Sequence, residues 1–211
     1  MLILDESRIG TKETTYGRFY FRLSDPEKLY PSVTTIMSNP AGKAKRGGSP
    51  SMILGTLTHY NILNKYKRLP KPTERIYGIP HEEAQDRLTR CVSMWNGLKL
   101  CITPIAVEAI VMNKEPCYAG RIDLLGTIEN KLVLCDLKTG CEYPGHSTQG
   151  AAYWNALDRE PSCVKFIYLD GIVNRNPEQK AWVRTYEKEQ LEEYYNDFLD
   201  KHVNFVWPKE K

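Results

Sequence analysis

The sequence contains no long hydrophobic run. Its 211 residues are 41% hydrophobic, yet no stretch reaches the roughly 20 apolar residues that a bilayer-spanning helix needs. The opening MLILDESRIG carries acids early and resembles neither a secretory signal nor an arginine-rich transit peptide. We therefore expect an intracellular protein of the bacterial or host cytoplasm, without signal or transit peptide and without a membrane partner.

Cysteine pairs with metal-ligand spacing are also missing. The six cysteines form no C-x-x-C pair, and several lie inside apolar runs, where a free cysteine behaves as a small hydrophobic residue. The sequence therefore predicts free thiols in a reducing compartment and no structural zinc.

The chain has little net charge and no internal repeat. A formal charge of +3 allows a nucleic-acid partner without requiring one. The only biased segment, NPAGKAKRGGSP, is rich in glycine, proline and basic residues and is typical of a surface loop. The length favours a single domain, by default monomeric, with a mainly helical N-terminal part (1–100), a core sheet (101–186) and a C-terminal helix (187–211).

Hydrophobic periodicity predicts the individual elements. After a β-prone segment, YPSVTTIM, helical spacing predicts helices in SMILGTLTHYNILNKY, HEEAQDRLTRCVSMWNGL, STQGAAYWNAL and KEQLEEYYNDFLDKHVNFV. Short β-branched runs predict strands in IAVEAIVM, AGRIDLLGTI, KLVLCDLK, CVKFIYLDGIV and KAWVRTYE. The predicted fold is α/β, with a central mixed, partly antiparallel sheet of about five strands flanked by helices.

A predicted hairpin brings two acids together. If Glu129-Asn130 forms its two-residue loop, Asp123 faces Asp136 directly, and like charges at such a cross-strand position are destabilising. Because side chains alternate between faces, Lys138 shares this face with both acids, beside Arg121. A four-residue loop preserves this register and a three-residue loop breaks it.

A divalent cation would offset the repulsion between these acids. Mg²⁺ binds through one or two carboxylates and keeps waters and phosphate oxygens in its coordination shell. Lys138 would then orient an attacking water or neutralise charge on a phosphoryl oxygen, which is the chemistry of phosphodiester hydrolysis. The alternative is a surface hairpin in which Asp123 and Asp136 pair with Arg121 and Lys138.

Further motifs follow in a fixed order. AGRIDLL, LVLCDLKTG and TQGAAYWNAL resemble the G-x-x-D, D-x-K and Q-x-x-x-Y series of the PD-(D/E)xK nucleases, specifically the RecB-type exonuclease branch. GTLTHYNIL is similar to the helix that carries a histidine to the metal site in that branch, and IAVEAIV to its V-E strand. PSVTTIM is similar to the opening of the phage and mitochondrial single-strand DNA exonucleases. The matches run from about Tyr30 to Leu157.

The resemblance implies a restriction-endonuclease-like core that binds one or two Mg²⁺ or Mn²⁺ ions. The implied metal ligands are the side chains of His59, Asp123 and Asp136 and the backbone carbonyl of Leu137. Lys138 would be the catalytic lysine, with Asp136, Asp123 and Glu108 as the catalytic acids. The alternatives are a packed helix histidine for His59 and a solvent-facing edge-strand residue for Glu108.

Candidate substrate-binding residues lie around this series. Gln149 and Tyr153 are four apart on one helix face, and the resemblance places that face beside the active site. Candidates for phosphate contacts are Arg121, Lys43, Lys45 and Arg46. Candidates for base stacking are Tyr60, Tyr77 and Trp154, with core packing as the alternative for each.

The chain departs from the iron–sulphur members of this branch. Those members hold the cluster with one cysteine before the nuclease motifs and three near the C-terminus. Here no cysteine precedes Cys91 and none follows Cys163. The sequence therefore predicts no iron–sulphur cluster.

These features together predict a metal-dependent DNA nuclease. The resemblance favours an exonuclease on single-stranded DNA or single-stranded tails, acting with replication, recombination or repair proteins of a phage or virus. One alternative is a non-catalytic module that binds DNA ends, against which the intact acid-x-lysine argues. The other is a sequence-specific endonuclease on the same fold.

Overall fold

The computed structural model describes residues 6–14, 16–38, 50–72, 81–169 and 181–207. After a 3-10 turn at Glu6–Arg8, the strands are β1 Ile9–Thr14, β2 Gly17–Arg22, β3 Asp25–Pro31, β4 Thr103–Asn113, β5 Tyr118–Ile128, β6 Lys131–Thr139, β7 Cys163–Leu169 and β8 Trp182–Glu187. The helices are α1 Val33–Ser38, α2 Pro50–Leu63, α3 His81–Gly97, α4 Gly145–Ala156 and α5 Lys188–Val203.

The central sheet has five strands in the order β4-β5-β6-β7-β8. Only β6 and β7 are parallel, and α4 makes the crossover that a parallel pair requires. Helices α4 and α5 supply Trp154 and Phe198 to the core on one face. Helices α2 and α3 supply Leu63 and Trp95 to the core on the other face. The predicted α/β fold with a mixed, partly antiparallel sheet is confirmed.

The β5–β6 hairpin has the predicted two-residue loop. Glu129 and Asn130 both have positive φ, 50° and 63°, as a type I′ turn requires. The pairs run in the predicted register from Ile128↔Lys131 to Leu124↔Cys135. The ladder ends there, one position before the expected pair of acids. The candidate site lies just beyond this last pair, at Asp123 and Leu137.

A second sheet precedes the helices of the N-terminal part. Strands β1, β2 and β3 form an antiparallel meander, whose Tyr20 and Tyr30 pack against Ile110 and Met112 of β4. The prediction of a mainly helical N-terminal part omitted this sheet. Because β1 and β3 are largely exposed and carry charged residues, they lack the regular apolar alternation that identifies a strand.

The β-prone segment YPSVTTIM is mostly helical, so its prediction as a strand was wrong beyond Pro31. Ser32 stops the strand and caps α1, since its Oγ accepts a 3.0 Å hydrogen bond from the backbone N–H of Thr35. Burial of Val33 and Ile36 then outweighs the weak helix propensity of β-branched residues. Across the described ranges, no helix combines the length and apolarity needed to cross a membrane.

Candidate metal centre

Asp123 sits where β5 separates from β6. Its Oδ2 accepts a 2.7 Å hydrogen bond from the backbone N–H of Leu137, so a side-chain carboxylate supplies an acceptor that a regular ladder would take from the backbone. The other oxygen, Oδ1, points to α2 and lies 3.4 Å from Nδ1 of His59. Asp123 is buried, with 8% of the residue exposed, and both of its carboxylate oxygens have a partner.

Helix α2 delivers His59 to the same place. The imidazole Nε2 lies 2.9 Å from the carbonyl oxygen of Leu137, and Nδ1 lies 3.5 Å from Oε1 of Glu108. Leu54, Ile62 and Leu63 bury the helix side that faces the sheet. This packing fixes the distance of the imidazole ring from the sheet. A histidine that served only to pack the helix would not explain why two carboxylates lie beside one ring nitrogen.

Glu108 reaches the site because β4 is irregular there. Its φ is +48°, and it interrupts the pairing with β5 between Val107↔Leu124 and Ala109↔Ile122. A positive φ is uncommon for a residue with a side chain. The distortion directs Glu108 toward His59, instead of to solvent as the edge-strand alternative required.

The three side chains form a compact set of ligand atoms. One atom each from His59, Glu108 and Asp123 lies within 4.8 Å of the other two. Ligands held at about 2.1 Å in an octahedron are about 3.0 Å apart when adjacent and about 4.2 Å apart when opposite. Small inward shifts would bring these atoms to such positions. Carboxylate and carbonyl oxygens suit Mg²⁺ or Mn²⁺, and an imidazole nitrogen suits Zn²⁺ or Fe²⁺, so this set could hold a divalent metal ion without selecting one of them.

Electrostatics in this set favour a positive charge. Burial alone would lower the pKa of His59, but the carboxylates of Asp123 and Glu108 raise it well above its ordinary value. Burial opposes ionisation of Asp123 as well, yet His59, Lys138 and the N–H of Leu137 hold its pKa below the ordinary value. A protonated imidazole thus occupies the electrostatic role that a metal cation would take.

Asp136 and Lys138 form a second pair, on β6. Oδ2 of Asp136 lies 2.5 Å from Nζ of Lys138, but no partner of hydrogen-bonding geometry reaches this buried oxygen among the described residues. Burial raises the pKa of Asp136 to about 6 in spite of Lys138, and the negative charge of Asp123 contributes. Asp136 is thus a buried carboxylate that already binds one cationic group, the ammonium of Lys138.

Helix α4 holds the lysine from the other side. Nζ of Lys138 donates a 3.0 Å hydrogen bond to Oε1 of Gln149, whose Nε2 donates to the hydroxyl of Tyr153 at 3.2 Å. Tyr153 in turn fills the space above Gly120, where an added Cβ would overlap its ring. The predicted Gln149–Tyr153 face therefore supports the lysine, and its contact with substrate stays a prediction.

A cavity of about 430 Å³ opens beside the ligand set. His59 and Glu108 form part of its wall, together with Tyr60 of α2 and Arg121 of β5. The structure does not record a contact of Arg121 with Lys138 among the residues it describes. Arg121 instead lies on the cavity side of the metal ligands, whereas Lys138 faces α4.

The remaining predicted residues fall into two groups. Trp154 is fully buried and its indole N–H donates to the carbonyl of Pro161 at 2.8 Å. The structure therefore supports core packing, and not base stacking, for this residue. The others lie outside the described residues: Lys43, Lys45, Arg46 and Tyr77.

Sequence reasoning missed the contribution of the small sheet. Thr11 and Glu13 of β1 and Arg18 and Tyr20 of β2 line the cavity. The alternation of TKET and GRFYF is compatible with a hairpin around residues 15 and 16, but no pattern connects that hairpin to His59. In the described part of the chain, the hairpin is brought to the site through the packing of Tyr20 onto β4.

Comparison with known proteins gives no functional assignment. No family model and no curated protein matches the chain. Among solved structures, SSO0001 is similar over 80% of this chain and 83% of its own, with 11% identity and a TM-score of 0.33. We infer nothing about activity or site residues from a similarity at this level.

Proposed function

We propose that the chain is a metal-dependent nuclease that hydrolyses phosphodiester bonds in DNA. The observation that carries the proposal is the meeting of His59, Glu108 and Asp123 from three different elements, next to the Asp136–Lys138 pair. A surface salt-bridge cluster does not account for it, because Asp123 and Asp136 are buried and two carboxylates lie against one ring nitrogen of His59.

The protein side of the metal site follows from the contacts. His59, Glu108 and Asp123 are the side-chain ligands, and the carbonyl oxygen of Leu137, now 2.9 Å from Nε2 of His59, is available beside them. Asp136 completes the set from β6. Bound Mg²⁺ or Mn²⁺ would supply Lewis-acid polarisation of the phosphodiester and lower the pKa of a bound water.

Lys138 is the proposed catalytic cation. Its ammonium is held by Asp136 and Gln149, so its position is fixed before substrate arrives. There it orients the attacking water and neutralises the charge that develops on the phosphoryl oxygens. Gln149 and Tyr153 are positioning residues, since the structure links them to Lys138 and to each other.

DNA with a single-stranded end is the proposed substrate. The motif series that resembles RecB-type exonucleases supports this choice, and so does the small size of the cavity at the site. Tyr60 and Arg121 at this cavity offer a ring and a guanidinium, the groups that proteins use for bases and phosphates of single strands.

End-labelled single-stranded DNA tests the proposal. The purified chain should release labelled product with Mg²⁺ or Mn²⁺ and none with EDTA. Lys138→Met and Asp136→Asn should reduce the rate about 100-fold or more, as expected when a positioned proton-transfer or electrostatic group is lost. Matched controls are Lys201→Met and Asp197→Asn, which change exposed residues of α5.

The outcomes separate the alternatives. Undiminished cleavage by both Lys138→Met and Asp136→Asn would refute the assignment. Cleavage of circular single-stranded DNA would refute the exonuclease activity and retain the nuclease. Binding of DNA ends without cleavage in either metal would favour the non-catalytic module.

A further inference from the structure

The cavity beside the candidate metal centre has one wall made by the small sheet. The cross-strand pairs Thr11↔Tyr20 and Glu13↔Arg18 both contribute to this wall. Because residues two apart on a strand share a face, one whole face of the β1–β2 hairpin is turned to the cavity. The lining also includes residues of α2 and of the segment that follows it, among them His59, and Glu108 of β4.

Two side chains at this cavity have unused binding capacity. Within the parts of the chain that the structure describes, neither the guanidinium of Arg121 nor the ring of Tyr60 has an ion pair, a hydrogen bond or a ring contact. Arg18, on the β1–β2 wall, is paired with Glu13. The guanidinium of Arg121 can therefore bind an anionic group of a ligand, and the ring of Tyr60 can stack on an aromatic group, without the loss of a described contact.

We propose that the cavity binds one unpaired nucleotide next to the scissile phosphate, with Arg121 on a phosphate oxygen and Tyr60 stacked on the base. This inference rests on the proposed nuclease function and adds to it a terminal-nucleotide subsite and a role for the small sheet. Because β1 and β2 line a cavity that holds a single nucleotide, the strand would have to be unpaired where it reaches the metal ligands.

The size and chemistry of the cavity fit one nucleotide. Its volume of about 430 Å³ is in the lower part of the range for small-molecule sites, roughly 300–1,000 Å³. This leaves room for one base with its sugar phosphate but not for a base pair. The candidate metal ligands and the guanidinium of Arg121 in the lining are complementary to the phosphate of the nucleotide, and the ring of Tyr60 is complementary to the base.

Binding of thymidine 5′-monophosphate in the presence of Mg²⁺, measured by titration calorimetry, tests the subsite without requiring cleavage. Arg121→Ala and Tyr60→Leu should each raise the Kd about tenfold or more, in line with lost charge-assisted hydrogen bonds and lost stacking. Tyr60→Phe should restore binding, because it keeps the ring. The control is Arg159→Ala, because Arg159 is an exposed residue after the end of α4 that pairs with Glu192 and does not line the cavity.

A second pair of variants tests the wall itself. Thr11 is an exposed cavity residue on β1, and its neighbour Lys12 is exposed but does not line the cavity. Thr11→Trp should fill the cavity and reduce both nucleotide binding and cleavage of single-stranded DNA about tenfold, whereas Lys12→Trp should leave both unchanged. Both positions accept an aromatic residue in a strand, and circular dichroism checks that each variant is folded.

The two proposals fail in different ways. Cleavage that is lost in Lys138→Met but equal to wild type in Arg121→Ala, Tyr60→Leu and Thr11→Trp would overturn the subsite and leave the nuclease standing. Nucleotide binding that depends on Arg121 and Tyr60, in a protein that cleaves no DNA with either metal, would overturn the nuclease and leave the subsite. Equal nucleotide binding by all variants also overturns the subsite.

Discussion

Oδ2 of Asp123 accepts a hydrogen bond from the backbone N–H of Leu137, the residue between Asp136 and Lys138. One carboxylate thus joins two strands at the point where their ladder ends. The carbonyl oxygen of the same Leu137 lies 2.9 Å from Nε2 of His59. Oδ2 of Asp123 therefore has a structural role and Oδ1 a proposed metal-ligand role, and mutations at this position can distinguish the two.

Asp123→Asn and Asp123→Ala should differ in stability. The amide oxygen of asparagine can still accept from Leu137, whereas alanine leaves that buried N–H without a partner. An unsatisfied buried donor costs about 1–3 kcal/mol, so the alanine variant should be less stable than the asparagine variant by that amount. Urea unfolding in EDTA measures the difference, and equal stabilities would show that the bond to Leu137 is not significant.

Gly120→Ala should damage the site from a distance. The new Cβ would overlap the ring of Tyr153, which is 4% exposed and cannot move freely. Overpacking of this kind costs about 1–3 kcal/mol, and displacing Tyr153 should also loosen Gln149 and slow DNA cleavage. Unfolding and single-turnover cleavage measure the two effects.

A matched glycine and a double mutant check this explanation. Gly97 ends α3 with no heavy atom near an added Cβ, so Gly97→Ala should be neutral or stabilising by up to about 1 kcal/mol. In a Tyr153→Ala background, Gly120→Ala should lose most of its cost. Unchanged cost in that background would contradict the proposed overlap.

The β5–β6 turn should be open to stabilisation without loss of activity. Glu129 has a positive φ that asparagine adopts more readily, and Asn130 has one that glycine adopts more readily. The double variant Glu129→Asn/Asn130→Gly should therefore be more stable by about 0.5–1 kcal/mol, with the same register and cleavage rate. Thermal unfolding and a parallel cleavage assay measure the two quantities. A change of register would lower both the stability and the cleavage rate.

The same turn shows what the sequence could establish and where it stopped. Two residues between two β-rich runs determine the register, so the approach of Asp123 to Asp136 was predictable. The end of the ladder was not, because it depends on a side-chain hydrogen bond to Leu137. Glu108 has a positive φ on β4 and lies opposite Asp123, between the pairs Val107↔Leu124 and Ala109↔Ile122. It is within ligand distance of Asp123 and His59, while Asp136 contacts Lys138.

The small sheet was harder to predict for a different reason. Its strands β1 and β3 are mostly exposed, so burial imposes little hydrophobic pattern on them. Their stability comes from long-range contacts such as Tyr20 and Tyr30 on β4. A cavity wall built from such strands cannot be identified from local sequence. The neighbouring lining residues His59 and Glu108 can be, because they lie in recognisable motifs.

Metal binding should stabilise the fold through the three ligands. At a metal concentration about 100-fold above the Kd, a ligand that binds only the native state adds about 2.7 kcal/mol. Mn²⁺ should therefore raise the unfolding free energy of the wild type and of Asp197→Asn. It should have little effect on His59→Ala or Glu108→Gln, and an equal stabilisation of these variants would place the metal elsewhere.

Without metal, stability should fall as pH rises from about 5 to about 8. Asp136 has a pKa raised to about 6 and His59 a pKa raised well above its ordinary value, so the folded state binds more protons than the unfolded state in this range. The unfolding free energy then decreases with pH, by about 1–3 kcal/mol for a shift of this size. Asp123 has a lowered pKa and acts in the opposite direction, but only at lower pH, where its own carboxyl group titrates.

Urea unfolding in EDTA measures the pH dependence. The wild type should show the decline in unfolding free energy, and Asp136→Asn should show a weaker one. Saturating Mn²⁺ should add most stability at the alkaline end of the range, where no proton competes with the metal for His59. A stability that rises with pH in EDTA would contradict the buried acid–imidazole arrangement.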